Sequence, residues 1–287
     1  MTVIATMLAG LASSEMTKAQ YDRSLAAQQQ SKAGDQWSFF QAKRLRGAFQ
    51  RNTLDLLQAS NEVHPLDVAA LQQTLASPDT GRGEVATLLG SAAGQRALGL
   101  LQRGELPAGF APAAPVANIK AALAAIDEMK PETEVAALLA AISHADLLAA
   151  LLVGRTQTDA LDDATRPVNQ LIEALDRSLP GQGSGAGLNR DFIAARLRFS
   201  ALRYEAEARL NQVIANLYEL QVRKNNLSAE RHHGRSQRFF YGMLGAQMAV
   251  IIATFAVAAK QRNLLWSLAA AAGVGALLFA SYVFLFV

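Results

Sequence analysis

Residues 241–259 read YGMLGAQMAVIIATFAVAA, residues 260–262 read KQR, and residues 263–287 read NLLWSLAAAAGVGALLFASYVFLFV. The two hydrophobic runs are 19 and 25 residues long and contain no Asp, Glu, Lys or Arg. A bilayer core of roughly 30 Å takes about 20 apolar helical residues, so each run is long enough to cross one. This reading decides the fold class: an all-α integral membrane protein with a transmembrane hairpin over 241–287.

Charge on either side of the runs sets the expected orientation. Arg223, Lys224, Arg231, Arg235 and Arg238 precede the first run closely, whereas the tight loop between the runs offers Lys260 and Arg262. The positive-inside rule then predicts that the bulk of the chain is cytoplasmic. Arg231, Arg235, Arg238, Lys260 and Arg262 are the basic residues placed to face lipid headgroups. Tyr241 and Trp266 suit interfacial anchoring. In the second run, Gly273 and Gly275 follow Ala269–Ala272 in a small-residue stretch that lets helices approach closely. Neither run holds an ionisable group, and Gln247, Thr254 and Ser281 are its strongest polar residues. That argues against a conduction path within one subunit.

Upstream, Leu210, Val213, Leu217, Leu220 and Leu227 recur at intervals of 3, 4, 3 and 7, the pattern of a heptad seam with Lys224 at the skipped position. No proline follows Pro180, so a helix over 189–238 can continue into the first run, with His232-His233-Gly234 its weakest point. Residues 14–60 predict a second long polar helix, with a stripe at Trp37, Phe40, Leu45, Phe49 and Leu56 and a possible break at Gly34-Asp35. The two helices are expected to pair as an antiparallel, coiled-coil-like stalk. Trp37, Phe39, Phe40 and Phe49 make a dense aromatic cluster, suited either to core packing against 190–231 or to docking a partner. Residues 1–13 (MTVIATMLAGLAS) are apolar but short, and read as an interfacial or partner-packed helix or as a truncated third span.

Between the long helices, 61–187 predicts a helical insertion domain. Its expected helices cover 65–77, 85–102, 118–129, 131–153 and 161–179, with a linker at 105–116 and the Gly-rich linker PGQGSGAG at 180–187. The 131–153 segment opens on Pro131 with Glu132 and Glu134 in its first turn, and reads as one buried core helix rather than a span.

Composition narrows the function classes. The net charge of +3 gives no reason to expect nucleic acid as a partner, and the lack of cysteine excludes disulfides, thiolate metal sites and cysteine nucleophiles. Hydrophobic residues make up 51% but aromatics only 7%, so Ala and Leu dominate and favour helix. Of the four histidines, His232 and His233 are adjacent, and neighbours on a helix point about 100° apart, which suits a polar cap better than a shared ligand set. His144 and Asp146 read as a satisfied pair. No HExxH, P-loop, EF-hand or G-x-S-x-G pattern occurs. No catalytic residue, metal ligand or cofactor is expected.

The stretch Gly34-Asp35-Gln36-Trp37-Ser38-Phe39-Phe40-Gln41-Ala42-Lys43 resembles a signature of the bacterial family known as domain of unknown function 4337. Members of that family carry a DQW-aromatic-aromatic-QAK stretch after a hydrophobic segment, then a coiled-coil region and a pair of membrane spans. The resemblance covers about 1–60 and 190–287, leaves 61–187 unmatched, and implies an architecture without an activity. The function expected from all of this is non-enzymatic: a membrane-anchored scaffold or accessory subunit, as a homo-oligomer or within a larger membrane complex. A pore formed on oligomerisation is the alternative.

Overall fold

No proline lies between Thr2 and Ser60, and the chain there forms a single 59-residue helix, α1 (Thr2–Ser60). The computed structural model describes residues 2–75, 83–109, 112, 115–179, 186–258 and 262–286. Every described element is helical: after α1 come α2 (Val68–Leu75), α3 (Gly83–Gly90), α4 (Ala92–Arg103), α5 (Ala117–Asp127), α6 (Glu132–Ala141), α7 (His144–Ser178), α8 (Ala186–Ala258) and α9 (Arg262–Phe286).

Several sequence-based boundaries are corrected. Residues 1–13 are not separate from 14–60, because α1 runs through both, and Gly34-Asp35 does not break it. Ser38 there folds its hydroxyl back onto the Gly34 carbonyl at 2.9 Å, a bond internal to the helix. The expected 85–102 helix is two helices. Ser91 ends α3 and caps α4, accepting from Gly94 N–H at 2.9 Å. The fold demands glycine at that point, since a Cβ on residue 94 would lie 1.8 Å from the Leu88 carbonyl oxygen. The expected 131–153 core helix is also two, α6 and α7. Ser143 accepts from the Asp146 N–H, and the Asp146 carboxylate accepts from the Ser143 N–H, a capping box that starts α7. His144 and Asp146 are therefore exposed groups at a helix start, and Leu148, Leu152 and Val153 face outward rather than into a core. From there α7 continues through Pro167 and absorbs the expected 161–179 helix. The 77–81 turn and residues 180–185 of the Gly-rich linker lie outside the described residues. α8 is one helix of 73 residues that passes His232-His233-Gly234 without interruption.

Burial along α1 follows a regular step. Ala5, Leu8, Ala12, Glu15, Ala19, Ala26, Gln29, Ala33, Gly47 and Leu54 are buried, and Asp22, Gln36, Phe40, Lys43, Gln50 and Leu57 are half-buried. These positions advance by 3 and 4 in strict alternation from Ala5 to Leu57. Ala recurs every seventh residue from 5 to 33, and from Glu15 to Gln50 the position three residues after each first member of the heptad is polar.

The chain divides into two compact units, to both of which α1 and α8 contribute. The first comprises Met1–Ser31, Ala122–Ala141 and Tyr218–Val287. Its apolar cluster joins Ala5, Leu8 and Ala12 of α1 with Phe239 and Ala246 of α8 and Ala276 and Val283 of α9. A Cβ at Gly242 would lie 3.4 Å from Phe279 and 3.5 Å from Leu8, so α8 is approached there from α9 and α1 together. Residues 2–13 are thus helical and pack on α8 and α9 within this unit.

The second unit comprises Lys32–Ala121 and Ile142–Leu217. Its core gathers Leu71 of α2, Val85 of α3, Leu98 and Leu101 of α4, Leu171 and Leu175 of α7, and Phe192 and Phe199 of α8. Leu54 of α1 packs in a smaller cluster with Ala194 and Leu197. Gly104 ends α4 in the left-handed region at φ 62°, where its missing side chain also leaves room for Arg198.

Candidate functional site

Two layers of buried charge join α1 to α8, one within each unit. In the first unit the heptad step places Glu15 on the buried face of α1, and α8 presents His232 to it. Nδ1 of His232 lies 2.6 Å from Oε2 of Glu15, and Lys18 donates to Oε1 at 2.8 Å. Asp22 stands 4.0 Å from the other ring nitrogen, so carboxylates flank the imidazole on both sides. Burial disfavours the charge on Glu15, but the hydrogen bonds from Lys18 and His232 outweigh it and hold the carboxyl below its usual value. An ionised Glu15 can only accept, so the proton of the shared bond sits on His232 Nδ1. On either side, Ser236 donates to the Ala12 carbonyl at 2.7 Å and Asn225 donates to Gln29 Oε1 at 2.8 Å. As the α1 partner moves from 12 to 15 to 29, the α8 partner moves from 236 to 232 to 225, so the two segments run in opposite directions.

In the second unit Glu207, 4% exposed, is the buried acid. Lys43 contacts it, and Arg203 pairs with it at 3.4 Å while lying 4.7 Å from the Tyr204 ring centroid. Two residues before it, Glu205 accepts from Arg51 at 2.8 Å and also from Arg209. Desolvation opposes ionisation of Glu205, and these two guanidiniums overcome it and lower its pKa. Beside them is an open cleft of about 450 Å³, lined in part by Phe40, Arg44, Gly47 and Ala208.

The aromatic cluster separates. Trp37 and Phe40 form an edge-to-face pair at 5.4 Å and are half-buried, whereas Phe39 and Phe49 are 54% and 68% exposed. Leu45 and Leu56, both 71% exposed, share the outward face with Phe49 at steps of 4 and 7. A further hollow of about 600 Å³ lies along Leu45, Phe49 and Tyr204. On α8, Leu210, Leu217 and Leu220 are buried, and Val213 and Leu227 half-buried. The two glycines of α9 part company. Gly273 is buried in line with Ala269 and Ala276, but Gly275 is exposed with nothing within 4 Å of where its Cβ would be. The close face is therefore 269-273-276-280-283, offset from the Gly-Val-Gly step. Arg231 and Arg238 are exposed and Arg235 is half-buried; Lys260 and the side chain of Arg262 lie outside the described residues.

Among the described residues no group of three or more His, Asp or Glu side chains is arranged to hold a metal ion. The same residues include two helices long and apolar enough to cross a membrane, α8 by its apolar end and α9. A third would be counted only by joining α6 and α7 across the break between them. Only 22% of each apolar window is buried within the chain.

The α1 seam and its DQW stretch lie in the part of the chain that resembles a known family. Residues 1–80 match the model of the family described as Domain of unknown function (DUF4337). The match does not extend to 190–287, where a resemblance was also expected. No curated protein and no solved structure matches the chain.

The residues that sequence reading missed are Glu15, Asp22, Gln29, Asn225 and Ser236. For Glu15, Asp22 and Gln29 the signal was the heptad recurrence of alanine at 5, 12, 19, 26 and 33, which puts the polar residue three places on into the same seam.

Proposed function

We propose that this chain is a membrane-anchored helical scaffold or accessory subunit of a bacterial inner membrane, non-enzymatic, that oligomerises or holds a larger complex together. In this reading 241–259 and 263–287 cross the bilayer, and residues 2–13 pack beside them. The remainder of α1 and α8 forms an antiparallel coiled-coil stalk on the cytoplasmic side. Support for the anchor is the exposure of large apolar side chains along both helices, among them Met248, Phe255, Leu278 and Phe284, which water does not tolerate over so continuous a surface. Support for the stalk is that every buried position of α1 falls on one series of alternating steps of 3 and 4, the period of a coiled coil.

The observation that carries the scaffold reading is the outward face of Leu45, Phe49 and Leu56. A cytoplasmic helix that leaves two leucines and a phenylalanine in water on one face has a partner to cover them. The test is purification of the full chain in mild detergent with a mass measurement of the particle. Assemblies larger than one chain are expected, and Leu45→Ser with Phe49→Ser should reduce them to single chains without loss of helicity. A wild-type particle of one chain alone would sink the reading.

A pore assembled from several copies is the second reading. Gln247 and Thr254 favour it, because they lie seven residues apart on one exposed face of α8. Ion flux in liposomes holding the pure protein, lost on Gln247→Leu, would select the pore over the scaffold.

A further inference from the structure

The first unit has a groove that the scaffold reading leaves unused. It lies between α1 and α8. One section, about 570 Å³, is lined by residues that include Ala12, Met16, His233, Gln237 and Tyr241. The next, about 500 Å³, includes Thr2, Ala5, Gln247 and Ile251. Ala9 and Met243 line both sections, so one leads into the other. The groove exists because α1 presents alanine at 5, 9 and 12, where a longer side chain would fill it.

Its two ends differ chemically. The far section is walled mainly by methyl and methylene groups. At the mouth, Gln237 Nε2 lies 3.0 Å from His233 Nε2, so the amide donates and the neutral ring carries its proton on Nδ1. That Nδ1 is shielded from water and has no hydrogen-bond partner in the chain. Shielded donors of this kind are costly until an acceptor reaches them. The stretch 230–238 adds the guanidiniums of Arg231, Arg235 and Arg238 against the single carboxylate of Glu230. From Phe240 to Ile251 the groove wall follows eleven residue steps of α8, about 16 Å at about 1.5 Å per residue. One leaflet supplies about half of a roughly 30 Å core. A donor-rich mouth in a basic stretch, above an apolar slot one leaflet deep, matches an amphiphile with an oxygen-rich anionic head.

We propose that this groove binds an anionic phospholipid, with one acyl chain along Ala5, Ala9 and Met243 and the phosphate at the His233–Gln237 mouth. The proposal rests on the reading of 241–259 as a span. Native mass spectrometry of the full chain in mild detergent, doped with either phosphatidylglycerol or phosphatidylcholine, tests it. Phosphatidylglycerol should be retained about fivefold or more over phosphatidylcholine. Ala9→Leu, and separately Thr6→Leu at an exposed groove position, should each cut that retention by a similar factor. His233→Ala with Gln237→Ala should bring the two lipids to parity, and Ala271→Leu, on an exposed face of α9, should change nothing. Equal retention of the two lipids by wild type, or undiminished retention by both groove-filling variants, overturns the site. So does a particle whose mass falls to one chain on Ala9→Leu, because the face then holds a second copy. Carbonate extraction of wild type separates the failures: release from the membrane overturns the anchor itself, whereas retention without lipid selectivity overturns only the groove.

Discussion

Glu15 is a carboxylate in a seam where alanine alternates with larger, mostly polar side chains, and its neighbours determine what it contributes. Its folded pKa is depressed, so its contribution is fully present above the ordinary value of 4.5 and is lost as pH falls through the lower folded value. Protection from hydrogen exchange across 2–31, corrected for the intrinsic rate at each pH, should therefore fall below about pH 4.5, and Glu15→Gln should flatten that dependence. Glu15→Ala removes a charged partner from His232 and Lys18, and should cost about 1.5–3 kcal/mol in thermal unfolding followed by helicity. At this scale the sequence was least legible. His232 is written beside His233, yet only the step of the helix assigns one to the seam and the other to the groove. Polarity alone made both look like a solvated cap.

Each long helix is governed by what lets two backbones come close. Ala19 is fully buried on α1, so Ala19→Leu forces an overpacked contact and should cost about 1–3 kcal/mol, while Gln20→Leu, one residue on and exposed, should be near neutral. Calorimetry of the two variants side by side checks the face assignment. Loss of the α7 capping box in Ser143→Ala should cost about 1 kcal/mol. Its motif, Ser143 followed three residues later by Asp146, stands in the sequence, but the Ala/Leu-rich surroundings read as one continuous helix. The α1 seam was hidden for the opposite reason. From 5 to 33 its recurring member is alanine, which adds little hydrophobicity, so a search for large side chains met the seam only at Phe40 and was drawn to Leu45, Phe49 and Leu56. Those residues lie on the outward face, and Trp37 and Phe40 alone of the aromatic cluster turn inward.

For the molecule as a whole, the two charge-free runs made the helical class and the apolar pair of helices readable, because length and absence of charge need no tertiary context. Residues 61–187 were readable only as a set of short helices, since which of them share a core depends on contacts distant in sequence. The proposed orientation has a clean test, because the chain lacks cysteine. Ser60→Cys should react with a membrane-impermeant maleimide in inverted vesicles and not in intact spheroplasts, and the reverse labelling would overturn a cytoplasmic stalk. One further consequence follows from the alanines of α1. Methyl groups repeating every seven residues make a ruler with identical graduations, and a slide by one graduation, about 10 Å at about 1.5 Å per residue, lays alanine on alanine again. Glu15 with His232 and Gln29 with Asn225 are index marks against the slide that would put Leu8 and Asp22 in their places. With Glu15→Leu and Gln29→Leu together, a cysteine at 12 should cross-link to one at 229 as well as to one at 236. Two chains identical in helix content would then differ only in where the ruler is read.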